Sequence, residues 1–115
     1  MADPVTLTVT TITRAGVNPT TSAVAATAEG CLMANTGKEV LLVKNADNDT
    51  ASVVTIATPA TIDGLAIAER TVNVPFGEER LIGPFPKGIY NNGSDNVAAT
   101  FSSLDGVTVA AFRLP

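Results

Sequence analysis

The run from Glu39 to Val43 constrains the fold more than any other stretch. Leu41 and Val43 share one strand face with Glu39, while Val40 and Leu42 share the other with Lys44. Successive side chains of a strand point to opposite faces, so a half-exposed strand alternates between apolar and polar. This one is apolar on both sides. One face calls for a core, and the other for a cover: either the chain's own long loop or N-terminal arm, or another protein. After Ala46-Asp47-Asn48-Asp49-Thr50 comes Ser52 to Ala57, β-branched at Val53, Val54, Thr55 and Ile56, residues that pack well on a pleated surface. The short polar side chains between the two runs hydrogen-bond their own backbone and favour turns. Lys38 to Ala57 therefore reads as a β-hairpin at the centre of an all-β domain.

The remaining chain repeats this pattern. Val5, Leu7 and Val9 alternate with threonines, and Ile12 falls out of phase with them, which predicts a bulge near Thr10-Thr11 or the end of the strand. Residues 14–20 read as loop, and residues 1–20 as partly an N-terminal arm. Residues 21–29 read as a short strand feeding a turn at Gly30. Thr58 to Glu69 is a long connection whose Ile62, Leu65 and Ile67 would be costly in water, so it is expected to fold over an edge of the domain and close one end of the core. Val72 and Val74 point inward, and Pro84 and Pro86 confine their segment to an edge or a crossing between sheets. Asn92-Gly93 is the strongest tight-turn signal. Val97, Ala99 and Phe101 form a further inward face, and Leu104-Asp105-Gly106 turns the chain into Val107 to Leu114. About eight short strands at regular spacing predict a single antiparallel β-sandwich, with a small closed β-barrel as the alternative.

With 115 residues the chain is long enough to bury a core without metals or disulfides. Charged residues make up only 16%, below the ~25% usual for globular proteins. A surface of Thr, Ser, Asn and Ala is easier to bury against a partner because fewer ions lose their water. Net charge is −4 and the seven basic residues are scattered singly, which argues against nucleic-acid binding. No apolar run reaches the length of a membrane-spanning helix, and no secretory signal opens the chain. The expectation is synthesis in the cytosol and no membrane partner.

Catalytic chemistry has little to work with. The chain has no histidine, which removes the commonest neutral-pH base and the commonest zinc ligand. Cys31 is the single cysteine; followed by Leu32 and Met33, it reads as a small buried apolar residue. Glu78 and Glu79 are adjacent, so on a strand they point to opposite faces and make no acid pair. Asp47-Asn48-Asp49 lacks the distal bidentate glutamate of a calcium loop and reads as a turn capped by its own side chains. No catalytic, cofactor-binding or metal site is expected. Leu41, Val43, Phe85 and Tyr90 are the candidates for contact with a protein partner.

Several passages resemble a family of small capsid-associated virion proteins of tailed bacteriophages and prophages. They are the N-terminal Thr-rich strand leading to Thr13-Arg14-Ala15-Gly16, the Asn35-Thr36-Gly37 turn, Leu41 to Asn45, Val53 to Phe85, and Val107 to Leu114. The resemblance implies a non-enzymatic protein on the outer surface of the assembled head, a decoration or cement protein whose partner is the major capsid protein. It also implies a homo-oligomer, with a trimer plausible because a neighbouring copy can cover a two-faced strand. A tail or neck component of the same virion is one alternative. A carbohydrate- or cell-surface-binding β-sandwich is another, disfavoured by the absence of Trp and the single Tyr.

Overall fold

The computed structural model describes residues 4–19 and 23–114. In chain order the elements are β1 (Val5–Thr6), β2 (Val9–Thr11), β3 (Val24–Ala25), β4 (Cys31–Ala34), β5 (Glu39–Asn45) and β6 (Ser52–Ile56). They continue with β7 (Thr61–Ile62), β8 (Leu65–Ala66), β9 (Arg70–Val74), β10 (Glu79–Ile82), the single helical turn α1 (Lys87–Tyr90), β11 (Asn96–Phe101) and β12 (Val107–Arg113). The fold is an all-β sandwich and not a closed barrel. One sheet has the order β1-β4-β11-β6-β9; the other runs β10-β5-β12-β2, with β3 also paired to β12. Pairing is antiparallel except for β1 on β4 and β2 on β12.

Lys38 to Ala57 does not form the expected hairpin. Both strands form, but they do not pair with each other: β5 lies between β10 and β12, and β6 lies between β11 and β9 in the opposite sheet. Residues 46–51 arch from one layer to the other, across the ~10 Å that separates packed sheets. The turn chemistry read from the sequence is present but serves this crossing. Asn45, buried, donates from Nδ2 to the carbonyls of Thr50 (2.9 Å) and Val74 (3.1 Å) and accepts from the N–H of Asp47 (3.1 Å). The Ala46 N–H donates to the Gly106 carbonyl at 2.8 Å.

The core lies between the layers. Leu41 and Val43 meet Val107, Val109 and Ala111 of their own sheet and Met33, Val54, Ile56, Val74, Val97 and Ala99 of the other. Alternation read from Val72 and Val74 and from Val97 and Ala99 matches these positions, Phe101 packing at the margin. Cys31 is buried in this cluster, where desolvation, against a lowering hydrogen bond involving Ala99, pushes its thiol up to about 12.

The N-terminal strand breaks earlier than the phase shift at Ile12 suggested. Val5 and Thr6 pair with β4, the buried Leu7 spans the gap, and Val9 to Thr11 pair with β12 in the other sheet. The phase shift has a second meaning: Val5, Leu7 and Val9 face the core, while Ile12 packs outside the β5 sheet. One turn also differs from expectation. At Asn92-Gly93 the positive φ falls on Asp95 (62°) instead of on the glycine. The Asn92 side chain accepts the N–H groups of Ser94 (2.8 Å) and Asn96 (3.1 Å), which closes the turn without glycine's special conformation. Residues 21 and 22 of the segment read as a strand before Gly30 lie outside the described residues; β3 accounts for Val24 and Ala25.

Candidate interaction surfaces

Leu41, Val43 and Phe85 are not surface residues. Their exposures are 1%, 0% and 2%, because the odd-numbered face of β5 is the inward one and the segment after β10 folds Phe85 beneath the sheets. The residues on the outside of the same sheet are Val40, Leu42, Ala110 and Phe112. They form a second apolar cluster, partly covered by Ile12, Val17 and Ala23 of the chain's own N-terminal segment. Backbone pairing holds that segment in place: the Ile12 N–H donates to the Arg113 carbonyl at 2.9 Å. The second face of β5 thus gets its cover largely from within the chain.

That cover is incomplete. A cleft of about 330 Å³ remains between the N-terminal segment and the sheet, lined by Ile12, Val17, Pro19, Val40, Leu81, Phe112 and Leu114. Leu81, opposite Leu42 in the β10–β5 register, is 69% exposed, and Leu114 is 45% exposed. No charged side chain lines the cleft.

A different surface forms where the two sheets present their free edges side by side. The tight turn at 75–78, closed by the Glu78 N–H donating to the Pro75 carbonyl at 3.1 Å, links β9 to β10. Beyond it a groove of about 490 Å³ opens, bounded by Arg70 and Val72 on one edge, Arg80 and Ile82 on the other, and Phe85, Ile89 and Tyr90 at its end. Tyr90 is half-buried. Its ring packs edge-on against Phe85 with centroids 5.3 Å apart, and its hydroxyl accepts from Arg70 Nε at 3.2 Å. Asn35 and Asn91 fix this end reciprocally: Asn35 Nδ2 donates to Asn91 Oδ1 (2.6 Å) and to the Phe85 carbonyl (2.9 Å), and Asn91 Nδ2 donates to the Asn35 carbonyl (3.0 Å). Of the predicted contact residues, Tyr90 alone reaches a surface.

The connection 58–69 does not close the core. Its middle forms a separate two-stranded sheet, β7 with β8, joined through Asp63-Gly64. Both turn residues have positive φ, 55° and 78°, as a two-residue hairpin matching strand twist requires. Thr58 Oγ1 donates to the Ile67 carbonyl at 2.9 Å across its base. Ile62 and Leu65 are 69% and 71% exposed. The expected burial of Ile62 and Leu65 inside the chain is therefore not what the fold shows.

The acidic side chains of Asp47, Asp49 and Glu78 serve local turns and one ion pair. Asp47 Oδ1 accepts the N–H of Asn48 and Asp49 Oδ1 the hydroxyl of Thr50, while Glu78 pairs with Arg80 at 2.9 Å. Among the described residues no three His, Cys, Asp or Glu side chains are placed to hold a metal. Comparisons with protein-family models, with curated proteins and with solved structures each find no match.

Proposed function

We propose that this chain is a non-enzymatic structural protein of a tailed-phage virion that binds the outside of the head as a decoration or cement protein. The observation that carries this reading is the apolar cleft on the outer face of the β5 sheet, with Leu81 and Leu114 presented to solvent beside Phe112. A patch without charges is cheap to desolvate against the major capsid protein, and the sandwich beneath it is a rigid platform. The resemblance of the Leu41–Asn45, Val53–Phe85 and Val107–Leu114 passages to small virion proteins supports the same reading. Many copies on a symmetric shell would turn individually modest contacts into lasting attachment.

The test uses expanded, undecorated heads of the phage that encodes the chain. Wild-type protein is expected to co-sediment with the heads and to appear as added density on their outer surface. Leu81→Ser removes one exposed apolar anchor, worth about 1.5–3 kcal/mol when buried, so head binding should weaken roughly tenfold to a hundredfold. Its urea midpoint should stay near that of the wild type, because exposed substitutions usually change stability by less than ~0.5 kcal/mol. Saturating protein that leaves the shell bare, or binds only to tails, would overturn the head assignment.

A further inference from the structure

The β7–β8 hairpin and the β9–β10 groove are complementary, and neither is satisfied within one chain. An isolated two-stranded hairpin is marginally stable in water, yet this one pairs with no other strand among the described residues and holds Ile62 and Leu65 out in solvent. Between them Asp63 stands at the tip. The groove offers the converse: an apolar floor with Arg70 and Arg80 on its two rims. Arg80 already has Glu78, but Arg70 has no carboxylate partner among the described residues and is held only by the Tyr90 hydroxyl. The hairpin of the same chain contributes nothing to the lining of its own groove.

We infer that the hairpin tip of one copy docks in the β9–β10 groove of the next, with Asp63 meeting Arg70 and Ile62 and Leu65 covering the apolar floor. Tip and groove are different surfaces, so the contact is head-to-tail. Repeated around a rotation axis, it closes a ring in which every tip and every groove is occupied. Leu81 borders both this groove and the cleft assigned to the head, so the contact is tested at Ile62, Asp63, Leu65 and Arg70, none of which lines that cleft, and the test needs no capsid.

Sedimentation velocity over a concentration series should show a closed species whose mass is a whole multiple of 11.7 kDa. Changing Ile62 and Leu65 together to Ser should weaken this association about a hundredfold or more. Asp63→Asn keeps a residue that tolerates positive φ, and it should weaken association about tenfold, as should Arg70→Gln. The double variant should be no worse than either single one, because the two side chains serve one contact. A wild-type protein that stays monomeric throughout, association that survives loss of both apolar residues, or single effects that multiply in the double variant would each overturn the inference. A second measurement does not depend on those variants. Chains carrying Ile62→Cys and chains carrying Ile89→Cys, mixed and oxidised with diamide, should form mainly the mixed disulfide dimer, since Cys31 is buried. A predominance of Ile62→Cys homodimers would mean tips meeting tips and would sink the tip-in-groove arrangement.

Discussion

Replacing Glu39 with alanine is expected to destabilise the protein by about 1–3 kcal/mol, the cost of leaving buried hydrogen-bond donors without an acceptor. Glu39 is the one charged residue on the inward face of β5 and is fully buried. Its carboxylate accepts from the Thr36 N–H (2.7 Å), the Thr36 hydroxyl (3.0 Å) and the Lys38 N–H (3.2 Å), and it pairs with Arg113, its register partner on β12. Alanine leaves these donors without an acceptor and opens a void between β5 and β12. The loss is a sizeable part of the roughly 5–15 kcal/mol that holds a small domain together. Burial pushes the Glu39 pKa up, but the Thr36 N–H, Arg113, the Thr36 hydroxyl and the Lys38 N–H together hold it below the ordinary 4.5. Between the folded and unfolded values the unfolded chain binds more protons. The stability Glu39 contributes is therefore complete above the unfolded value and is lost as pH falls through the folded one. Urea midpoints taken from about pH 7 down to about pH 2 should fall more steeply for the wild type than for Glu39→Ala. Parallel curves would show that the carboxylate does not carry the acid sensitivity.

Gly30→Ala is expected to cost at least about 4 kcal/mol, in the range reserved for severe backbone or packing conflicts, or to prevent folding. Gly30 has φ +84°, and a Cβ there would lie 2.2 Å from the Ala99 carbonyl oxygen and 3.0 Å from the Thr100 methyl group. The collision falls where β4 begins to pair with β11, at Cys31 opposite Ala99, so relief would require separating two central strands. Gly77→Ala is the control: its φ is +74° but its added Cβ meets nothing within 4 Å. It should cost only the ~1–2 kcal/mol of a left-handed residue. Equal midpoints for the two variants in urea would refute the collision argument.

What the sequence reveals here is local. Alternation at Val72 and Val74 and at Val97 and Ala99 identifies half-buried strands, because facing is a property of each strand alone. The two-sided β5 run announces that both of its faces are covered, and the phase slip at Ile12 marks the residue that helps cover the outer one. Pairing partners are not local. The polar residues 46–51 look the same whether they fold back into a hairpin or arch to the opposite sheet; only the competing claims of β10 and β12 on the edges of β5 decide. For the same reason Leu41 and Val43 could be recognised as needing cover, but not as the inward set. The Glu39–Arg113 pair spans 74 positions, and nothing near either residue signals the other. Ile62 and Leu65 show the remaining limit: the cost of their exposure is legible, but not that the chain leaves them exposed on a separate hairpin.

The arch at 46–51 also dictates the order in which the chain can assemble. Because β5 and β6 are neighbours in sequence but not in space, β5 must wait for β10 and then for β12, whose residues pair with it across the whole strand. Among the described strands, only β7–β8 and β6–β9 join neighbours lying close together along the chain. Contacts of such high sequence separation place folding in the millisecond-to-second range typical of sandwiches. On the ribosome the most apolar strand emerges long before the strand that completes its sheet. Until β12 arrives, the nascent chain carries an unpaired, two-faced hydrophobic edge, a substrate for chaperones and a seed for aggregation.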